Sequence, residues 1–365
     1  MRAGRLLLTL SFSLLALNFS LFTAGAQAEE GARGWLERMT QAFQQQNYRG
    51  VLIYGDGQQW QTLAITHGMI DGVEQEKLLH LTGLPREMVR HGQDIICIHP
   101  GEHSPRFNSE LSNPLHGFSR VMDVEDQYHF TLGGVERIAG RFAQRLQVTP
   151  VDNDRYGYQL WLDQNTGLLL RSDLLNNHQQ VLERFQFAQI EIGLDLSAAA
   201  FEPDDQGHKL TLYPVSPDQQ AISTDGIGWL PNWIPAGFRI TAVIQAGSPR
   251  TADADAEQRT ADTLPVRLMY SDGLAAFTLF IDPVNQEQMP EITRRWGATA
   301  AVVRYRDHTA GAADGDGSSH GRLRVTVVGE LPADTMIRIA TSIVPGALAE
   351  HHVDAVNSAL SVTEE

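Results

Sequence analysis

Ten short segments alternate apolar and polar residues at period two, and that rhythm leaves the first half of the chain little choice but an antiparallel sheet. The segments are 48–54, 60–67, 74–81, 87–91, 95–99, 135–139, 142–149, 156–163, 168–175 and 181–192. Turn clusters such as Gly55-Asp56-Gly57 and Asp71-Gly72 punctuate them, and residues 163–167 read as a tight turn. Leu146 and Val148 alternate with Arg145 and Gln147, while Tyr158, Leu160 and Leu162 alternate with Gln159 and Trp161. One face is therefore apolar and the other largely wet. A helix over 34–46 carries Trp35, Leu36, Met39 and Phe43 on one side and must cover one face of the sheet. A curved sheet of this kind is either filled on its concave side or left with a groove. The alternation is compatible with both.

Residues 100–126 are loop-rich. Between 203 and 228 the composition shifts to Pro, Asp, Gln, Ser and Gly around one short apolar piece at 210–213, which reads as a linker. It separates a large domain, 29–202, from a smaller one, 229–346. In the second domain strands are expected near 239–245, 266–271, 275–281, 299–305 and 322–328. Pro332 then admits a helix over 333–344 with Met336, Ile339, Ala340 and Ile343 on one stripe. Segments 247–263 and 307–320 read as surface loops and 347–365 as a tail. The fold class is α+β, a large curved antiparallel sheet with helices plus a small α+β domain.

The compartment follows from the first residues. Arg2 and Arg5 precede an apolar run over 6–22, and Ala26-Gln27-Ala28 supplies the small-x-small pattern of a secretory signal peptide spanning 1–28. An exported chain of ordinary composition is expected, with 42% hydrophobic and 20% charged residues. Its formal charge is −16, so nucleic acid and anionic membrane are poor generic partners. One cysteine, Cys97, rules out an intramolecular disulfide framework.

Motifs for chemistry are weak. Gly317-Ser318-Ser319-His320-Gly321 fits a nucleophile-elbow pattern centred on Ser319, but a polar loop precedes it and a strand follows it. Cys97, His99 and His103 lack a fourth metal ligand. Asp253, Asp255 and Glu257 imitate the start of a calcium loop, yet Gln258 and Leu264 stand where glycine and a bidentate glutamate are required. No metal or cofactor is expected. Two basic clusters could hold an anion such as a lipid phosphate: Arg86 and Arg90, and Arg304 and Arg306 among neighbours Arg294 and Arg295. A chain without a convergent triad reads as a binding protein rather than an enzyme.

Four motifs add a resemblance. They are Gly83-Leu84-Pro85-Arg86-Glu87-Met88-Val89-Arg90-His91-Gly92, the Trp-Leu-Pro-x-Trp-x-Pro-x-Gly-Phe run at 229–238, Tyr270-Ser271-Asp272-Gly273-Leu274, and Val327-Val328-Gly329-Glu330-Leu331-Pro332. Together they resemble the MucB/RseB family, periplasmic regulators of the envelope-stress sigma factor. The resemblance implies a non-enzymatic protein that binds the periplasmic part of a membrane anti-sigma factor, shields it from regulated proteolysis and releases it on binding lipopolysaccharide or lipid. It also implies that the large domain resembles lipoprotein carriers, an unclosed β-barrel with helices at its opening. Residues 161–168 match the strand-turn-strand segment of those carriers.

The lipid and anion candidates are then Arg86, Met88, Arg90, Leu160, Leu162, Arg304 and Arg306. Candidates for the domain junction or partner surface are Trp229, Trp233, Tyr270 and Asp272. A homo-oligomer is compatible with the sequence. The alternative function is a periplasmic lipid or lipoprotein carrier. A hydrolase centred on Ser319 is a third class.

Overall fold

The computed structural model describes residues 31–92, 94–99, 126–203, 208–212, 224, 227–245, 265–284, 290–309 and 320–346. The signal peptide, the 100–125 stretch, the 247–263 loop, the tail, Ser319 and the acidic triplet at 253–257 lie outside them, as does His103.

Eleven strands form one antiparallel sheet. In chain order these are β1 (Tyr48–Gly55), β2 (Trp60–Ile70), β3 (Val73–His80), β4 (Glu87–His91), β5 (Asp94–His99), β6 (Tyr128–Ile138), β7 (Arg141–Pro150), β8 (Gly157–Asp163), β9 (Leu169–Leu175), β10 (Val181–Ile192) and β11 (His208–Leu212). The spatial order is β11-β5-β4-β3-β2-β1-β10-β9-β8-β7-β6, so β1 and β10 close the two halves of the meander onto each other. Strand β11 falls inside the stretch read as linker. It pairs with β5 at the sheet edge, Leu210 opposite Cys97, so a five-residue piece of that stretch continues an open edge. Strand β6 starts at Tyr128 rather than 135. A bulge between Leu132 and Val135, at Gly133-Gly134, breaks the alternation there.

Register places Tyr48, Leu52 and Tyr54 beside Phe185 and Phe187, and Tyr158, Leu160 and Leu162 beside Leu146 and Leu174, on one face. Helix α1, residues 31–45, lies against that apolar face. Leu36, Met39 and Phe43 join its core, and Arg38 Nη2 donates to the Gln164 carbonyl at 2.9 Å in the β8–β9 turn. The opposite face is polar but not simply wet. Trp161 is buried under the guanidinium of Arg171, 4.1 Å from its ring, and Asp173 receives both Arg171 and Arg184. Two arginine stems thus dry a surface that alternation assigns to solvent.

A second core builds the small domain. Its strands are β12 (Trp229–Pro231), β13 (Arg239–Gln245), β14 (Val266–Ser271), β15 (Ala276–Val284), β16 (Ile292–Trp296), β17 (Thr299–Thr309), β18 (His320–Gly329) and β19 (Ile343–Pro345), with α2 at Ala333–Thr341. Six of them form a sheet ordered β13-β14-β15-β18-β17-β16, while β12 pairs with β19. Met336, Ile339 and Ala340 of α2 are buried in the core they share with β17 and β18. Strands β17 and β18 extend into both ends of the segment read as a loop.

Candidate functional site

Two turns of the small domain plug the end of the large sheet where β1, β8 and β10 open. Leu274, in the β14–β15 turn, and Ala298, in the β16–β17 turn, are both counted in the large domain's core rather than their own. Tyr158, on the apolar face, donates its hydroxyl to the Leu274 carbonyl at 3.5 Å.

Asp272 anchors the first turn. Its Oδ1 accepts the backbone N–H groups of Leu274 and Ala275 at 2.9 and 2.7 Å, which fixes the turn, while Oδ2 accepts Tyr128 Oη at 3.0 Å and Arg155 Nη1 at 2.5 Å. Arg155 and Asp272 side chains are both fully buried. The same guanidinium reaches Asp152 through Nε and Nη2 and the Ala236 carbonyl of the small domain through Nη2. Tyr128 and Phe238 rings flank it at 5.6 and 5.1 Å. Burial works against the Arg155 charge, but Asp152 and Asp272 hold its pKa above the ordinary value. A buried arginine with four charge-assisted bonds drawn from two domains is a geometric lock. Thr335 of α2 adds a further cross-junction bond, donating to Asp154 Oδ1 at 3.0 Å.

Close approach requires glycine at two points. Gly237 has φ +82, and a Cβ there would lie 2.6 Å from Gln127 Cδ; Gly297 has φ +57, and its Cβ would lie 2.8 Å from Asp56 Cβ and Glu183 Oε1. Glu183 also crosses the junction. Its Oε1 accepts the Ala298 N–H at 2.9 Å and its Oε2 the Tyr54 hydroxyl at 2.9 Å.

The expected site residues fall in different places. Asp272 is at the junction. Tyr270, stacked on Phe277 at 4.8 Å between ring centres, and Trp229 belong to the small-domain core. Trp233 packs on that core under the Arg338 guanidinium, 3.6 Å from its ring. Leu160 and Leu162 are fully buried and Met88 is nearly so, all in the core that α1 joins, so they are packing residues and not an open lining. The concave face is filled there. Arg90 gives two hydrogen bonds to Glu74, at 3.1 and 2.6 Å, and lies 3.8 Å from Glu76. Hydrogen bonds from His67 and Arg90 hold the Glu74 carboxyl well below its ordinary range. Arg90 is thus paired with carboxylates of its own sheet. Arg86 is partly buried in the β3–β4 connection, where its carbonyl accepts His80 N–H.

Arg304 donates to the Ile292 and Val303 carbonyls and to Thr293, and Arg306 donates to the Thr341 carbonyl at the end of α2. At about 3.3 Å per residue, β17 carries Arg304 roughly 20 Å from Ala298. Sequence reasoning missed Arg155 and Asp152, because Val151-Asp152-Asn153-Asp154-Arg155 has the composition of a solvated turn.

A half-closed antiparallel sheet with an apolar inner face, one helix laid on it and a small α+β domain plugged into its mouth defines a two-domain binding protein. The MucB/RseB N-terminal domain family matches residues 31–204 and the MucB/RseB C-terminal domain family matches residues 223–344. The chain belongs to the MucB/RseB family. It is 34% identical over 340 residues to the sigma factor AlgU regulatory protein MucB of Pseudomonas aeruginosa, covering 93% of this chain and 98% of that one. To the sigma-E factor regulatory protein RseB of Escherichia coli K12 it is 28% identical over 334 residues, covering 90% and 95%. The structure is similar to the Pseudomonas aeruginosa MucA/MucB complex, with a TM-score of 0.65 at 31% identity over 86% of this chain and 99% of that one. A crystal structure of MucB in complex with MucA(peri) gives 0.64 at 32% identity, over 86% and 98%.

Proposed function

We propose that this protein works in the periplasm, holding the periplasmic segment of a membrane anti-sigma factor and denying it to the protease that makes the first regulatory cut. An acyl chain of lipopolysaccharide or another lipid reverses the hold. Support comes from membership of a family whose members are sigma factor regulatory proteins, and from similarity to MucB solved with MucA(peri). The observation that carries the release step is the placement of Leu274 and Ala298 in the large domain's core. A lipid entering the mouth of the apolar face and the docked small domain compete for one apolar volume.

The magnitudes are sufficient. About ten buried methylenes at roughly 0.8 kcal/mol each give a gross 8 kcal/mol. Shifting a population from 1:99 to 99:1 takes about 5.5 kcal/mol of preference for one state. Tight binding alone switches nothing; the lipid must prefer the undocked arrangement.

The test is cleavage of a periplasmic anti-sigma fragment by the site-one protease, with and without the mature protein and added lipopolysaccharide. Protection that lipid removes is the expected result. Equal cleavage with and without the protein defeats the reading. The apolar inner face also suits a lipid or lipoprotein carrier; such a carrier exchanges cargo between vesicles with no anti-sigma fragment present.

A further inference from the structure

Among the described residues eleven large apolar side chains are exposed, and six of them stand at one end of the molecule, where the small domain plugs the sheet: Trp60, Leu81, Leu84, Val151, Val181 and Trp296. Strand order puts them there. Trp60 begins β2, Leu81 follows β3, Val151 follows β7 and Val181 begins β10, all at the end where β1 stops at Gly55, while Trp296 closes β16 beside the plugging turn. We propose that this end is a membrane-docking rim, which seats Trp60, Leu81, Leu84 and Trp296 in the headgroup region of a phospholipid bilayer.

Local geometry holds the rim in place. The Trp60 ring lies against Gly55 so closely that a Cβ has no room there, which fixes the indole. Leu81 N–H donates to the Thr62 carbonyl at 2.8 Å and Thr62 N–H to Thr82 Oγ1 at 3.1 Å, so the 81–86 turn is tied to β2 beside that indole. Gly83, with φ +81 and open space around it, sets Leu84 at the tip of the turn. From the other domain Gly297 closes on Asp56, next to Gly55, and brings Trp296 to the same turn. Docking of the small domain therefore completes the rim.

The occupant follows from shape and charge. These side chains crown separate turns, an arrangement that suits a deformable apolar medium better than a shaped groove, and tryptophan and leucine beside arginine is the composition of interfacial membrane segments. The chain as a whole carries −16, which opposes anionic lipid, but Arg86 flanks Leu84, and Arg294 and Arg295 precede Trp296. Neighbouring carboxylates are engaged elsewhere. Glu87 pairs with Lys77 at 3.3 Å, Glu291 pairs with Arg304 at 3.6 Å, and Asp56 caps its own turn by accepting the Gln58 and Gln59 N–H groups at 2.9 and 2.7 Å. Repulsion from more distant acids is screened beyond about 10 Å at about 0.1 M salt, so the arginines nearest the headgroups decide the sign.

Docking of this kind stands apart from the anti-sigma reading; under that reading it would hold the protein against the membrane that carries its partner and raise their effective concentration. In the test the mature protein is floated with vesicles of phosphatidylethanolamine and phosphatidylglycerol and no partner, so failure leaves the anti-sigma reading untouched. The wild type should rise with the vesicles, and its tryptophan emission should shift to the blue, less so in Trp60→Phe. Leu84→Asp and Trp60→Ser should each lower the partition coefficient roughly tenfold. Arg86→Ala should lower it about fivefold, and only when phosphatidylglycerol is included. Phe142→Asp is the control: at 67% exposure it matches Leu84 at 68%, but it lies at the opposite end of β7 from Val151, and its partition should equal the wild type's. A wild type that stays below the vesicles, or draws single lipids from them without rising, overturns the rim. So does flotation that Leu84→Asp and Trp60→Ser leave unchanged, or that Phe142→Asp weakens as much as they do.

Discussion

Arg155 and Arg90 each bind buried carboxylates, and they do different work. Arg90 draws its partners Glu74 and Glu76 from the neighbouring strand of its own sheet. Arg155 draws Asp152 from its own turn but Asp272 and the Ala236 carbonyl from the other domain. Similar chemistry therefore stiffens one domain in the first case and joins two in the second. What a buried ion pair contributes depends on which bodies its partners belong to. Of the two, the Arg155 cluster is the one that spans the domain junction.

Breaking that contrast gives the largest effect. Replacing Asp272 with alanine leaves the Arg155 charge buried without its inter-domain partner, at a cost of about 3–5 kcal/mol. Calorimetry should show one unfolding transition splitting into two. Arg90→Ala should cost on the order of 3 kcal/mol but lower the large domain's transition without separating the domains. Were Arg90→Ala to split the transitions as well, the distinction between the two arginines would fail. A smaller perturbation comes from Gly297→Val, which forces a branched residue to positive φ and a side chain into Asp56 and Glu183. It should weaken docking by about 1–3 kcal/mol while each domain keeps its own circular dichroism.

Much of this fold is legible in the chain. Period-two alternation marks nine of the large sheet's strands nearly to their ends, and the α2 stripe of Met336, Ile339 and Ala340 is buried as its spacing demands. What escapes is non-local. Strand β11 forms because β5 offers an open edge, Trp161 is dry because Arg171 lies over it, and Arg155 is buried because another domain arrives. None of these leaves a periodic trace. Asp272 was within reach, since Asp-Gly between apolar segments marks a tight turn. Its partner was not, and neither was the filling of the inner face at Leu160 and Leu162.

Acid offers a finer separation of the regions. Despite burial, Arg141 and Thr166 hold Asp163 below its ordinary pKa, Arg184 and Arg171 do the same for Asp173, and Glu74 is likewise depressed. All three belong to the large domain. A depressed carboxyl contributes stability above its unfolded pKa and loses it as pH falls through the folded one, so the large domain should weaken progressively below about pH 4. The small domain's melting should change less over the same range. The least effect is expected from Arg306→Ala, a half-buried residue that donates to the carbonyl end of α2, at under about 0.5 kcal/mol.

Movement at the junction is the centre of the account, and a covalent lock addresses it most directly. Asp154 and Thr335 already touch across it at 3.0 Å. With D154C and T335C oxidised to a disulfide, the protein should still protect an anti-sigma fragment from cleavage, and added lipopolysaccharide should no longer undo that protection until the bond is reduced. Lipid-induced cleavage as fast in the oxidised form as in the reduced form would contradict the account.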